Sequence, residues 1–255
     1  MKLLSLLATM MLTSLFTAQS AEKDSRVFEM RTYYAAPGKL DALHARFRDH
    51  TMALFTKHNI TNIGYWVPIE NTESKLVYVL SYPNREARDS SWKEFAADPD
   101  WKKAHAASEV DGKLVAKVEQ LFMTATDFSP EIKPSVGQAD RVFELRTYTT
   151  TSPETLALLH SRFRDHTIRL FTKYGMTNLF YWQLTPDQAA ADRTLVYLLA
   201  HASVDAAKTS FDAFRLDPAW VAAKTASETK GGGSLTIPDG VKSVFMKATD
   251  YSPTK

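Results

Sequence analysis

Four of the chain's seven histidines, and two carboxylate–arginine pairs, are the residues whose types and spacing could do chemistry. His44 and His50 flank the run His44-Ala45-Arg46-Phe47-Arg48-Asp49-His50-Thr51, and His160 and His166 flank His160-Ser161-Arg162-Phe163-Arg164-Asp165-His166-Thr167. An imidazole held between a helix and a sheet could move a proton near neutral pH or ligate a haem iron. A metal shared within one run does not fit. On a helix, residues six apart lie about 120° apart around the axis, and no carboxylate stands at a supporting spacing on the same face. The alternative for each histidine is a packing or capping role. Glu29, Arg31 and Tyr33 alternate along one strand-like run, as do Glu144, Arg146 and Tyr148 along another. Period two places them opposite Phe28 and Met30. The two apolar residues suit a helix-packed face, so the charged trio is expected to point into a barrel interior with each charge paired. There it would be a Glu–Arg network holding two halves in register, or a polar pocket for an anionic or oxygen-bearing ligand. Tyr65-Trp66, Tyr181-Trp182, Tyr78 and Tyr197 form an aromatic wall. Such rings pack a core or, around a cavity, favour a flat apolar ligand. Arg46, Arg48, Asp49 and their repeats read as a solvated helix face with local ion pairs.

The elements that must position these groups occur twice. Arg26-Val27-Phe28-Glu29-Met30-Arg31-Thr32-Tyr33 returns as Arg141-Val142-Phe143-Glu144-Leu145-Arg146-Thr147-Tyr148. The offset is 115 at this strand, 116 at the histidine helix, 119 at the Asp-Pro pairs of 98 and 217, and 123 at Asp127 and Asp250. An offset that grows only through small insertions is a domain duplication. In the first copy the expected order is strand 27–33, helix 39–58, strands 61–68 and 76–82, a helix from 83 interrupted at Asp98-Pro99, a short helix 101–108, and strand 115–126. The second copy repeats it at 142–148, 154–174, 177–184, 194–200, 204–216, 218–228 and 241–249. This β-α-β-β-α-β order is the split ferredoxin-like unit. Each unit leaves one sheet face bare, and two units can bury those faces together. The expected fold is therefore α+β: two tandem ferredoxin-like domains forming an intramolecular pseudo-dimeric eight-stranded barrel. Residues 21–128 and 141–255 are the domains and 129–140 the linker.

A net charge of +2 with acids and bases interspersed gives no argument for nucleic acid. The absence of cysteine excludes disulfides, thiolate metal sites, Fe–S clusters and a cysteine nucleophile. No nucleophile elbow, zincin motif or dinucleotide fingerprint occurs, and Gly231-Gly232-Gly233-Ser234 lacks the lysine and following helix of a phosphate loop. Lys2, the apolar stretch 3–16 and the small residues Ala18 and Ser20 form a secretory signal pattern over 1–20. The stretch is too short to span a membrane, so a cleaved leader and a secreted or periplasmic protein with no later membrane span are expected.

Phe28-Glu29-Met30-Arg31-Thr32-Tyr33, the Pro37-Gly38 break, the helix ending His50…Phe55…His58, Gly64-Tyr65-Trp66, Leu76-Val77-Tyr78 and Asp98-Pro99-Asp100-Trp101 together resemble the NIPSNAP family of the dimeric α/β-barrel superfamily. The resemblance covers both copies. The second departs where Gly64, His58 and Asn59 become Phe180, Tyr174 and Gly175, and where 85–88 becomes 204–207. The resemblance implies the ferredoxin-like barrel and little chemistry. Relatives in the wider superfamily include cofactor-free monooxygenases, isomerases and haem-handling proteins, a fold-level analogy.

The function expected first is an exported binding or interaction module, taking a small apolar or aromatic ligand without a cofactor. The alternatives are a cofactor-independent monooxygenase or isomerase using His44 or His50 with an interior arginine, and a haem-binding protein. A pocket is expected between the first helix and the sheet, bordered by His44 or His50 and Tyr65-Trp66. In the second copy it would be bordered by His160, His166 and Tyr181-Trp182, and reshaped by Phe180. Tandem fusion already supplies a partner sheet, which leaves monomer and homodimer both open.

Overall fold

The computed structural model describes residues 24–137 and 140–255; the leader expected over 1–20 lies outside them. The first copy runs β1 (Val27–Ala35), α1 (Leu40–Arg46), a π-turn (Phe47–Thr51), α2 (Met52–Lys57), β2 (Thr61–Pro68), β3 (Lys75–Tyr82), α3 (Arg85–Ala97), α4 (Pro99–Ser108) and β4 (Val115–Ala125). The second runs β5 (Val142–Thr150), α5 (Pro153–Arg162), a π-turn (Phe163–Thr167), α6 (Ile168–Lys173), β6 (Thr177–Leu184), β7 (Thr194–His201), α7 (Val204–Leu216), α8 (Pro218–Lys230) and β8 (Thr236–Ala248). Asp98 and Asp217 punctuate the paired helices as expected. Each carboxylate accepts the backbone N–H two residues on, and a proline occupies the first helical turn. The departure at His58 and Tyr174 conserves a contact. His58 Nε2 lies 2.6 Å from Asp98 Oδ2, and Tyr174 donates its hydroxyl to Asp217 Oδ2 at 2.8 Å. Asn59 and Gly175 both follow a helix end with φ of 59° and 76°, the left-handed cap that asparagine and glycine accept most readily.

The eight strands close into one barrel in the order β1-β3-β2-β8-β5-β7-β6-β4. Within each copy the antiparallel order is ferredoxin-like, and the copies join at two short seams. Trp66–Pro68 of β2 pair with Met246–Ala248 of β8, and Met123–Ala125 of β4 pair with Trp182–Leu184 of β6.

The orientation of β1 is the reverse of the expected one. Phe28 and Met30 lie in the barrel interior with Trp66, Val77, Val79, Phe143, Phe180, Trp182 and Met246. Glu29, Arg31 and Tyr33 face the helices. A closed barrel is shut off from water on all sides, and an ion inside it would lose several kcal/mol of solvation with no room for enough partners. The helix side supplies those partners. Fully buried Glu29 accepts both an Nε–H (3.0 Å) and an NH2 (2.9 Å) of Arg88 on α3, NH1 of Arg31 (2.5 Å) and the Tyr82 hydroxyl (3.0 Å). Burial alone would raise the Glu29 pKa, but Arg88 and Arg31 outweigh it and hold the carboxyl below its ordinary value. The second copy solves the same problem differently. Position 88 is Ala207 there, and Glu144 is held by Arg146, by Ser243 (2.5 Å) and by His201 Nε2 (3.0 Å).

Period two also splits the expected aromatic wall. Trp66 and Trp182 point inward, where neither indole N–H finds a partner. Tyr65, Tyr78, Tyr181 and Tyr197 point to the helices, stacked as Tyr65–Tyr78 and Tyr181–Tyr197. Position 64, expected to shape a helix-side pocket, is interior as well. A Cβ on Gly64 would meet the Trp66 ring at 2.3 Å, whereas Phe180 packs against Trp182 with ring centroids 5.3 Å apart.

Beyond the seams, each copy ends in a strap laid on the other. After β4, Thr126 N–H donates to Tyr181 O and the Ser129 hydroxyl receives Tyr181 N–H; after β8, Thr249 and Ser252 do the same to Tyr65. Asp127 makes a two-point pair with Arg164, and Asp250 with Arg48. These ion pairs are solvent-exposed, screened by water and contribute little. The interior matters far more, since each fully buried large apolar side chain contributes about 1.5–3 kcal/mol. Ile132, in the segment expected as a linker, is fully buried in that interior.

Two expectations follow. Replacing Arg31 and Arg88 together with methionine strands Glu29 and should cost about 3–5 kcal/mol in urea unfolding. Adding Glu29→Gln should recover more than half, and no recovery would refute the buried-carboxylate account. His160 packs edge-on against Phe128 of the strap, and its Nε2 has no partner. Burial, with Arg164 adding to it and Asp127 opposing it, lowers its pKa from 6.5 to about 4. Between those values the unfolded chain binds more proton than the folded one, so this contribution to stability is complete above pH 6.5 and is lost as pH falls toward 4. His160→Leu should flatten the stability–pH curve in that window; an unchanged slope would show that the histidine is not the titrating group.

Candidate functional site

A cavity of about 340 Å³ opens between the helices and sheet of the first copy, near the lower end of volumes that hold small ligands. Tyr33 from β1, Phe47 from the π-turn, Phe55 from α2, Trp92 and Phe95 from α3 and Trp101 from α4 wall it with rings, and Val115 and Val118 of β4 form its floor. Its polar groups are Arg46, Thr51, His105, Glu109 and Lys113. The π-turn is the local device that shapes this wall. Met52 N–H bonds back to Phe47 O, and the Thr51 hydroxyl donates to Arg46 O at 3.1 Å. One extra residue in the turn widens the helix where Arg46, Phe47 and Thr51 meet the cavity, the kind of insertion often found at functional sites.

Arg46 is the central polar group. It is only 5% exposed, not on the solvated face expected for it. NH1 donates to Glu109 Oε1 at 3.1 Å and Ser108 Oγ at 3.3 Å, the guanidinium lies 5.4 Å from the Trp101 ring, and Nε has no partner. Burial pushes the Glu109 carboxyl up, but the Leu114 amide, Arg46 and His105 together bring it below its ordinary value. The arginine is thus an ion-paired cation in the wall of an aromatic cavity. His105 stands at the rim, 46% exposed in its side chain, 3.5 Å from Glu109 and edge-on to Trp101.

The histidines singled out from the sequence are not in this cavity. His50 and His166 are exposed. His44 Nδ1 lies 2.7 Å from the Tyr251 hydroxyl, beside Asp250 and Arg48 in a polar groove at the junction of the copies; burial lowers its pKa. His160 takes the same place against Phe128. The haem alternative relied on such a helix histidine at the pocket, and neither His44 nor His50 lines the cavity. Tyr65 and Tyr78 lie behind Phe47, with centroids 5.6 and 5.2 Å from it, and Trp66 is on the opposite face of the sheet. Arg31 sits behind the cavity wall, its guanidinium 4.6 Å from the Trp92 ring, and Glu29 accepts the Trp92 indole N–H. Arg146 and Glu144 form the equivalent network in the second copy, with Tyr148 and Tyr197 around the guanidinium. Sequence reasoning missed Arg46, Trp92, Trp101 and His105. The usable signal was the return of Arg46 and Trp101 as Arg162 and Trp220, each again pairing an arginine with a ring, 5.1 Å apart in the second copy. Among the described residues, no group of three or more His, Asp or Glu side chains forms a metal-binding set, and no helix is long and apolar enough to cross a membrane.

No curated protein matches the chain. Among solved structures, an uncharacterized NIPSNAP domain protein from Burkholderia xenovorans is 24% identical, covering 41% of this chain and 99% of its own, with a TM-score of 0.37. A NIPSNAP family protein from Agrobacterium tumefaciens is 24% identical over 41% and 97% of the two chains, with a TM-score of 0.38. A structure described as an anthrone oxidase-like protein is similar over 91% of this chain and 95% of its own, with a TM-score of 0.56 at 10% identity, a likeness of fold alone. The model of the NIPSNAP family matches residues 28–130 and again 143–253. The chain therefore belongs to the NIPSNAP family and carries its domain twice.

Proposed function

We infer that this protein is a small-molecule-binding module whose first copy takes a flat, largely apolar aromatic ligand. The aromatic cavity with one buried, ion-paired arginine carries the reading. Six rings favour a planar guest, the Arg46–Glu109 pair neutralises itself, and Lys113 is the one charge left over in the lining. The leader pattern over 1–20 supports export, so the working compartment is secreted or periplasmic.

A second reading rests on His105. An imidazole at the rim could take a proton from a bound aromatic ketone or phenol while Arg46 stabilises the resulting oxyanion. That is the opening step of a cofactor-independent oxygenase or isomerase.

Titration with 1-naphthol should quench the fluorescence of Trp92 and Trp101 saturably. Val115→Phe, which fills the floor, should weaken binding about tenfold or more, about 1.4 kcal/mol; equal quenching in the variant would remove the reading. An oxygen electrode, run with anthrone in place of naphthol, separates the two proposals. Oxygen uptake lost in His105→Ala selects the enzyme, and binding without uptake selects the module. For export, the mass of protein recovered outside the cytoplasm should correspond to a chain beginning near Ala21; an intact leader in that fraction would refute cleavage.

A further inference from the structure

The two copies place the same arginine in the same fold with different partners. Arg46 has Glu109 at 3.1 Å. Arg162, 7% exposed, has no carboxylate within 4 Å among the described residues; its NH1 reaches only the Ser227 hydroxyl at 3.2 Å, and its Nε is unpartnered. The cause is the length of one helix. In the first copy α4 ends at Ser108, and Glu109 caps it in a non-helical conformation (φ −113°, ψ 16°) that turns its carboxylate back to Arg46 and to Leu114 N–H. In the second, α8 runs on to Lys230, so the equivalent Glu228 stays on the helix rail. There it faces Lys224 at 4.0 Å, one turn away. Burial, eased only in part by Glu228 at longer range, holds the Arg162 pKa below its ordinary value. A buried cation whose counter-charge has been withdrawn is unstable unless something replaces it.

The replacement has a place to sit. Arg162 lines a cavity of about 210 Å³ between α5, its π-turn and α8, together with Ser161, Asp165, His166, Ser227 and Lys230. Arg162 and Lys230 bring two positive charges and Asp165 one negative. These three leave the lining short of a single negative charge. A guanidinium fork matches a planar carboxylate through two parallel N–H···O bonds, whereas a dianionic phosphate would be over-charged beside Asp165. We propose that the second copy carries a site for a small monocarboxylate, bound by Arg162 in this cavity between α5 and α8. The duplicated protein then has two unlike sites, one lined by rings and one that takes an anion.

Isothermal titration of the full chain with sodium propionate, against matched sodium chloride, tests this. Saturable binding at one site is expected. Arg162→Met should weaken it about 10- to 100-fold, the weight of a charged hydrogen-bonded pair, and Arg46→Met should leave it unchanged. If Arg162→Met does not fold, Ala226→Leu at the cavity mouth blocks entry without removing a hydrogen bond, and should abolish binding. Heat no greater than with chloride, equal affinity in the Arg162 or Ala226 variant, or tighter binding of inorganic phosphate than of propionate would overturn the proposal. The 1-naphthol titration is independent of this site, so its failure leaves this result standing and the reverse holds too.

Discussion

The dry interior of the closed barrel is the constraint from which the rest of the molecule follows. Eight strands close around it, so their inner faces are predominantly apolar where they are buried, and each charged residue of β1 and β5 is turned toward the helices. Helix α3 then has to supply Arg88 and Trp92 to a fully buried glutamate, and in the second copy His201 and Ser243 do the equivalent work. The helix–sheet layer is therefore polar as well as aromatic. Rings, guanidiniums and carboxylates tile less completely than aliphatic side chains, and it is in this layer that the first copy keeps its aromatic cavity.

The divergence of the copies is concentrated around that layer. The barrel seams, the straps and the π-turns are alike in both halves, while the partners of Glu29 and Glu144 and of Arg46 and Arg162 differ. Small backbone changes are enough to produce this. One helix longer at its C-terminus carries Glu228 off the arginine it would otherwise neutralise. The duplicated scaffold holds its shape through the shared interior, which leaves the outer layer of each half free to specialise.

Much of the architecture was legible from residue patterns. The repeat, the β-α-β-β-α-β order and the limits of β2, β6 and α7 follow directly from periodicity and punctuation. The facing of β1 did not, because alternation tells which residues share a side and not which side is inside. Closure decides that, and closure is a property of the whole sheet. Arg46 was missed for a different reason. It lies within α1 one turn after Leu43 and beside Phe47, on the side that periodicity already marks as buried, but an arginine there reads as solvated until its partner Glu109 at the end of another helix is known. The aromatic pair Tyr65-Trp66 was found but read as one wall, although adjacent strand residues stand on opposite faces.

The crossed straps give the duplication a kinetic meaning. Each half ends in a segment whose partners, Tyr65 and Arg48 in one case and Tyr181 and Arg164 in the other, lie on its sibling. In separate chains such an exchange is bimolecular and fades with dilution. Joined in one chain through residues 129–140, the two ends meet at an effective concentration on the order of millimolar, whatever the protein's abundance. The fused chain carries its own partner with it, and the barrel no longer depends on how many copies are nearby.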